Sequence, residues 1–559
     1  MSPAMIGVAS MKNTGLTLLP LGGLGEFGMN LMVLQSGQDA IIIDCGMMFS
    51  DGRHAGIDII LPDFSYLLDP KLNFQAMILT HGHEDHIGAV PFLFSERPVP
   101  MYGSAFTMEL VRKKLSEFQI KEEGYLHTVE KGEKISTGTF GVEWIEVAHS
   151  IPDAYAVCVD TPQGKIIHTG DFKIDDHHPD GKKTDLKRMS EISKEGVYLL
   201  LSDSTNAPVP GSTVSEDEVK VGLEDCISQS KAWTIVATFS SHVPRVVELF
   251  EIAKRQGKKV FPLGRSMVGN IEIAKKLGYL KNVDNILIDE KTLKATPRDQ
   301  VMIICTGTQG EYRSALHRLS KDQFRNIKIQ KDDTVIFSSR AIPGRERSIY
   351  YMIDELYRKG ARVITDREFR VHTSGHGYSE DLKTVLRTVQ PKFFIPCHGE
   401  YRMLDAHKAL ALEVGMQKDN VFLIEDGQKM FFQGDKVQKG QRLDLKPLLV
   451  DKPYFATFDE PYLKERRRMA EEGVLVVQLL IDQAKSTLLD PPLIETRGLC
   501  TENEEDMFDD LISMLERKYS TVKGRDVEKI EEDLRIQVQR FFKNEINRSP
   551  LIVPIVQFA

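Results

Sequence analysis

Cysteine is scarce in this chain: six in 559 residues, at Cys45, Cys158, Cys226, Cys305, Cys397 and Cys500, with no Cys-x-x-Cys pair. That scatter excludes a thiolate zinc knuckle and a disulfide-stapled scaffold, and fits reduced thiols in a cytosol. No apolar run approaches the roughly 20 residues that span a membrane, and the N-terminus lacks the basic-then-apolar order of a signal peptide. A cytoplasmic protein with no membrane partner is expected. Internal repeats and low-complexity tracts are absent, which excludes a repeat array. An excess of positive charge is missing too. The formal net charge is −9, whereas a non-specific nucleic-acid binder is expected to be basic.

What the chain does have is His81-Gly82-His83-Glu84-Asp85-His86, five potential metal ligands in six residues. The run follows Ala76-Met77-Ile78-Leu79, which reads as a buried strand ending at Thr80. Imidazole and carboxylate ligands without thiolates suit zinc or manganese and point to a catalytic site rather than a structural one. His81 and His83 can reach one ion while Asp85 and His86 turn towards a second. Two ions need further ligands, and three other strand ends offer them. Val147-Ala148-His149 supplies a third histidine for the first ion. Ile166-Ile167-His168-Thr169-Gly170-Asp171 places a carboxylate where it can bridge both. Phe393-Phe394-Ile395-Pro396-Cys397-His398 repeats the pattern, so that His398 completes the second ion. The neighbouring Cys397 should point away from the metals if the segment is extended.

Gly23-Leu24-Gly25-Glu26-Phe27-Gly28 matches a dinucleotide fingerprint, with Asp44 further on, but the fingerprint needs a helix opening at its last glycine. Met29 to Leu34 is too short for that helix and reads as a strand, with Ala40 to Asp44 as the next. The glycines form a hairpin turn, and no nucleotide cofactor is implied. Between the metal ligands at 81–171 and 398, the segments Lys231–Thr238, Lys259–Leu263 and Val301–Cys305 read as apolar parallel strands. Helical stretches such as Pro244–Arg255 and Asn270–Leu277 separate them, which describes a doubly wound α/β insertion. Beyond about Leu449, a strand near 473–480, helices at Glu504–Tyr519 and Asp526–Phe542, and a strand at Leu551–Val556 make a small α+β domain. Lys464-Glu465-Arg466-Arg467-Arg468 reads as a solvated linker, and Glu502 to Asp506 as an acidic cluster.

The His-x-His-x-Asp-His loop, His149 and Asp171 resemble the metallo-β-lactamase superfamily, whose fold is an α/β/β/α sandwich with metals at one sheet edge. Leu201-Ser202-Asp203-Ser204-Thr205, His372-Thr373-Ser374-Gly375-His376 and Pro396-Cys397-His398-Gly399-Glu400 resemble its nucleic-acid-cleaving β-CASP branch. From about Gly15 onwards the chain is most similar to the ribonuclease J family, which also shares Gly22–Glu26, Arg340-Ala341-Ile342-Pro343-Gly344 and His398 to Leu404. The resemblance implies a metallo-β-lactamase domain at 1–211 and 367–449, a β-CASP domain at 212–366, and a linker with a C-terminal α+β domain at 450–559. The β-CASP domain would cap the metal edge and form a cleft, and the C-terminal domain would support a homodimer or homotetramer. Two zinc ions per subunit are implied, with manganese as the alternative, and RNA as substrate in a narrow basic channel on an acidic surface.

His81, His83, His149 and Asp171 are assigned to the first ion, and Asp85, His86, Asp171 and His398 to the second. Asp85 also orients the attacking hydroxide. By resemblance, His376 is the general acid and Asp203 holds its ring. The resemblance also places His372, Thr373, Ser374, Gly375 and His376 on the RNA backbone near the scissile bond, with Ser240, Ser241 and His242 in a second substrate loop. Here the chain departs from the family pattern, reading Ser-His-Val-Pro-Arg where Asn-Val-His-Arg is common, and Gly310-Glu311-Tyr312 where Gly-Glu-Pro is usual. The expected activity is 5′-to-3′ exonuclease action on 5′-monophosphate RNA, with endonuclease action besides. Three rivals are disfavoured. A small-molecule metallo-hydrolase needs neither the insertion nor His376, a β-CASP DNA nuclease typically carries valine at the position of His398, and an inactive RNA-binding scaffold should have lost ligands.

Overall fold

A computed structural model describes residues 15–50, 56–179, 181–341, 345–451, 456–458, 460–499, 504–522 and 524–559. Ile342–Gly344, Cys500 and the Glu502-Asn503 start of the acidic cluster lie outside them. By contact density the chain divides into two units, 1–48 with 61–447, and 49–60 with 448–559.

The first unit is built on two facing sheets. One has eight strands, in the order Lys436–Arg442, Gln428–Gln433, Leu16–Gly22, Leu31–Ser36, Asp39–Ile43, Asn73–Ile78, Met101–Gly103 and Leu126–Thr128. The other has six, in the order Lys134–Thr137, Phe140–Glu146, Tyr155–Thr161, Gly164–His168, Val197–Asp203 and Phe393–Cys397. Alternate side chains from both sheets share one core, with Leu18, Ile41 and Phe432 from the first and Trp144, Val157, Leu199 and Phe393 from the second. Cys397 belongs to that core and so points away from the site, as its extended segment predicts. Leu16–Gly22 pairs antiparallel with Leu31–Ser36, so the Gly23–Gly28 segment lies between paired strands. No helix opens there, and the reading against a dinucleotide fold agrees with the structure.

Between Asp203 and Phe393 the chain leaves the sandwich and builds a five-stranded parallel sheet, in the order Lys259–Leu263, Val301–Cys305, Thr234–Ala237, Thr334–Phe337 and Arg362–Ile364. Helices Val243–Arg255, Arg265–Lys276 and Glu346–Arg358 fall between these strands in the chain. The strands are buried almost throughout, as expected of a parallel sheet covered on both faces. The second predicted helix begins five residues earlier than its reading at Asn270.

In the second unit, Val474–Asp482 is a central strand whose residues alternate between half-buried and buried. It pairs in parallel with Leu551–Phe558 and antiparallel with Leu493–Arg497 and Thr487–Leu488. Leu475, Val477, Leu479 and Ile481 face Leu511, Leu515, Leu534 and Phe542 of helices Glu504–Lys518 and Val527–Ile546. Lys464–Arg468 lies inside helix Glu460–Glu472, where a run of Glu, Lys and Arg has high helix propensity. Among the described residues, no helix is long and apolar enough to cross a membrane.

Candidate metal centre

Every proposed ligand sits just beyond a strand end on one edge of the sandwich. Strand Asn73–Ile78 delivers His81 and His83, and the short helix Glu84–Ile87 turns Asp85 and His86 away from them. His149 falls in the loop after Phe140–Glu146, which ends three residues earlier than its strand-like reading. Asp171 follows Gly164–His168, Asp203 closes Val197–Asp203, and His398 follows Phe393–Cys397. His398 holds the left-handed backbone conformation, φ 53°, an uncommon state for a residue other than glycine. Gly46 lets the loop close: a Cβ there would lie 1.6 Å from the Asp85 carbonyl oxygen.

These side chains converge into groups of metal-ligand spacing. One ligand atom from each of His81, His83, His149 and Asp171 lies within 4.8 Å of the others, and the same holds for Asp85, His86, Asp171 and His398. A third group, Asp171, Asp203, His376 and His398, overlaps the second. Asp171 is common to all three, and its Oδ1 is buried without a hydrogen-bond partner.

The hydrogen bonds behind the rings fix which nitrogen turns inward. His149 Nδ1 lies 2.7 Å from the Gly375 carbonyl, which only accepts, so Nδ1 carries the proton. Thr80 Oγ1 gives its single proton to Asp44 Oδ2 at 2.8 Å and so accepts from His81 Nδ1 at 3.1 Å. His86 Nδ1 donates to the same Asp44 oxygen at 2.8 Å. The Nε2 atoms of His81, His86 and His149 are therefore the nitrogens turned inward, where an ion would be held. His81 Nε2 is 3.0 Å and His149 Nε2 3.1 Å from His83 Nδ1. His86 Nε2 is 3.2 Å from Asp171 Oδ2, and His398 Nε2 is 3.2 Å from Asp85 Oδ2. Ring nitrogens and carboxylate oxygens gathered at these distances need positive charge among them, supplied by protons or by a cation. The donor set, five imidazoles and two carboxylates without a thiolate, fits two divalent cations.

Electrostatics agree. Burial drives His83 down to about 4 and holds His81 and His149 well below the ordinary histidine range, so all three stay neutral, the state a ligand requires. Burial works against a charge on His86 as well, but Asp171, Asp85 and Asp44 outweigh it and push His86 up to about 10. His398 is raised in the same way, burial being overcome by Asp171, Asp203 and Asp85. Asp171, although buried, is held well below the carboxylate range by His398 and His86. The second group is thus a strongly negative pocket that takes up protons where it could take up a cation.

Beside this cluster, His376 Nδ1 donates to Asp203 Oδ2 at 2.8 Å. Ser374 Oγ accepts from Asn206 Nδ2 at 2.8 Å and from the His376 backbone N–H at 3.1 Å, which shapes the turn before His376. Ser374, Ser240 and Ser241 are half-buried. His242, His372 and Thr373, expected at the substrate, are packed in the interior. His242 is 1 % exposed and caps a helix by accepting from Arg245 N, His372 is buried, and Thr373 gives its hydroxyl proton to the Val214 carbonyl. Gly375 is also interior, its carbonyl taken by His149. Sequence reading missed Asp44, Thr80, Asn30 and Thr205. Asn30 Nδ2 donates to the Asp85 carbonyl at 3.0 Å, and Thr205 Oγ1 lies 2.7 Å from His398 Nδ1.

Residues 24–208 match the metallo-beta-lactamase superfamily model, and 360–423 the model of a Zn-dependent metallo-hydrolase RNA specificity domain. The fold and the site are those of a metallo-β-lactamase-type hydrolase. Residues 231–356 further match the ribonuclease J beta-CASP domain and 461–558 the ribonuclease J C-terminal domain. The chain is 38 % identical over 498 residues to ribonuclease J of Helicobacter pylori, covering 89 % of this chain and 72 % of that protein. It is 33 % identical to ribonuclease J2 of Bacillus subtilis and 37 % identical to ribonuclease J of Mycobacterium tuberculosis. These alignments cover 98 % of this chain in both cases, and 99 % and 98 % of those proteins. The chain belongs to the ribonuclease J family. A crystal structure of an Enterococcus faecalis protein of unknown function shares the fold at a TM-score of 0.54 and 16 % identity, covering 75 % of this chain and 100 % of that one.

Proposed function

We propose that the chain is a divalent-metal-dependent ribonuclease that hydrolyses RNA from a 5′-monophosphate end and also cuts internally. One observation carries the reading: two ligand groups share Asp171 while His376, held by Asp203, stands beside them. His81, His83, His149 and Asp171 would hold one ion, and Asp85, His86, Asp171 and His398 the other. Zinc is the first choice for this donor set and manganese the second. Two such cations, when bound, supply charge neutralisation at the phosphate and an activated water.

The remaining work falls to the chain's own side chains. Asp85 is held through its backbone carbonyl by Asn30 and would direct the attacking oxygen. Asp203 accepts the Nδ1 proton of His376 and, together with Asp171, raises that ring above its ordinary value against the pull of burial. The Nε2 proton of His376 is then the one available to the leaving 3′ oxygen as the P–O bond breaks. Ser374, Ser240 and Ser241 are the surface candidates for a phosphate contact.

The five strands at 234–364 support a β-CASP domain at 212–366, with the sandwich at 1–211 and 367–449 and the remainder at 450–559. Half-exposed Val474, Val476 and Leu480, with Leu493 at 57 % and Val553 at 39 % exposure, support self-association through the C-terminal sheet as a dimer or tetramer. Five buried, unpaired cysteines support a cytoplasmic setting. RNAs labelled at either end and carrying monophosphate, triphosphate or hydroxyl 5′ groups test the activity. Mononucleotides released first from the monophosphate substrate are expected. Equal rates on all three ends with no mononucleotide would overturn the exonuclease reading, and cleavage of DNA alone would overturn the ribonuclease.

A further inference from the structure

The ring of His398 is oriented by a hydroxyl. Thr205 Oγ1 lies 2.8 Å from Asp203 Oδ1 and 2.7 Å from His398 Nδ1. A hydroxyl has one proton, and an ionised carboxylate can only accept, so Thr205 donates to Asp203. The competing acceptor, the His398 carbonyl, is further away at 3.5 Å. Thr205 then offers His398 only lone pairs, so His398 Nδ1 must carry a proton, and Nε2 is the nitrogen left to face an ion. Asp203 Oδ1 itself is 3.5 Å from His398 Nδ1, too far to fix the ring unaided. The other oxygen of the same carboxylate accepts from His376 at 2.8 Å.

The turn that presents Thr205 is held from several sides. Thr205 N donates to Asp203 Oδ1 at 2.9 Å, Asp203 N to Thr169 Oγ1 at 3.1 Å, and Ser204 Oγ meets His407 Nδ1 at 3.0 Å in the interior. An independent copy of the arrangement exists on the opposite sheet. Asp44 there takes the Thr80 hydroxyl and His86 Nδ1, and Thr80 faces His81 Nδ1. In both places one buried aspartate and one threonine set two histidines.

We propose that Thr205 is a positioning residue for the second metal ion, fixing the His398 ring with Nδ1 protonated and Nε2 turned towards the ion, and coupling that ligand to the carboxylate that holds His376. The proposal rests on the reading that His398 ligates an ion. It is tested on the full-length, chelator-stripped protein by titrating Mn²⁺ calorimetrically and counting bound metal by elemental analysis, for the parent, Thr205→Val, Thr205→Ser and His398→Ala. Removing the partner of a metal-bound histidine typically weakens affinity about 10–100-fold. Thr205→Val, which keeps shape and loses the hydroxyl, should weaken one ion by that factor and leave the other unchanged. Thr205→Ser should restore binding to within about threefold of the parent, since the donor and acceptor return. The retained ion in Thr205→Val reports that the site is folded. Two unchanged affinities in Thr205→Val, with one lost in His398→Ala, would overturn the role of Thr205 and leave the metal reading standing. Loss of both ions in Thr205→Val, or no rescue by serine, would make the residue merely structural. If His398→Ala also binds two ions like the parent, the metal reading fails and the proposal with it.

Discussion

Glu216→Ala should destabilise the first unit by about 3–5 kcal/mol, the usual cost of removing one partner from a buried ion pair. Glu216 is 2 % exposed and accepts from Arg245 and, at 3.0 Å, from Lys173 Nζ. Both cations are themselves buried. Lys173 retains Asp175 at 3.2 Å, and Arg245 retains the Ser338 hydroxyl and the Val371 carbonyl. Deleting the carboxylate therefore strands about one positive charge in the interior. At roughly 2.1 cal/mol/K of unfolding entropy per residue, a unit of this size shifts by about 1 °C per kcal/mol, so the melting temperature should fall by about 3–5 °C. Glu216→Gln keeps an acceptor and should lie between parent and alanine variant. The pH dependence has a definite sign. Burial would raise the Glu216 carboxyl, but Arg245 and Lys173 outweigh it and hold it well below the usual range. A depressed carboxyl stabilises the fold above its unfolded value of about 4.3 and loses that contribution as pH falls. The gap between parent and Glu216→Ala should be full at pH 7 and close as acid is added. Activity should fall as well, because Arg245 holds Val371, five residues before His376, and Lys173 follows Asp171 by two. Calorimetry and urea melts at pH 7 check the magnitude. A loss under about 1 kcal/mol would show that water or rearrangement compensates the cations, and the reasoning would fail.

Asp171→Ala should lose both ions, since all three ligand groups include it, and elemental analysis showing full occupancy would remove it from the shared role. His376→Ala should keep both ions and RNA binding while turnover falls by roughly 10²–10⁴-fold, whereas His398→Ala should weaken one ion. Equal metal loss in the two variants would refute that division. Ser374→Glu places a carboxylate where a 5′ phosphate would sit, and should suppress mononucleotide release from 5′-monophosphate RNA more than internal cleavage. Parallel loss of both products would refute an end-binding role for Ser374.

The sandwich and its ligand positions were legible because catalytic metals demand many donors close together, and the fold supplies them at strand ends. An apolar run that stops at His or Asp can be read in one dimension, as at Ile78, His168, Asp203 and Cys397. The same signal stood at Ala40-Ile41-Ile42-Ile43-Asp44, where it was read only as part of a nucleotide decoy. Asp44 serves His86 from 42 positions away, and Thr205 serves His398 from 193. A residue that acts on the far side of an imidazole carries no local pattern, so these partners appear only in three dimensions. The placing of His242 was not legible either. Ser240-Ser241-His242 reads as a polar surface turn, yet the helix that begins after it draws His242 inward as a cap. A charge run is ambiguous for a similar reason: Lys464–Arg468 has the composition of a linker and of an exposed helix face alike.

The net charge of −9 looks at odds with an RNA substrate until the acids are placed. Asp44, Asp85, Asp171 and Asp203 face histidines in or around the ligand groups, and Asp175 and Glu216 face Lys173 and Arg245 inside the protein. None of these six presents an open anionic surface to a polyanion. Two bound divalent cations would more than offset Asp85 and Asp171, and a bound ion can be the largest charge in its neighbourhood. Residues 310–370 carry fourteen Lys and Arg against nine Asp and Glu, a local excess opposite in sign to the whole chain. Within that stretch Arg340 donates to the Tyr378 hydroxyl at 2.9 Å, two residues from His376. Attraction for a phosphate backbone is set by the charge within a Debye length of it, about 8–10 Å at physiological salt, and not by the sum over the molecule. With two divalent cations held around Asp171, the potential a phosphate backbone meets there would be set by those cations and not by the total of the chain.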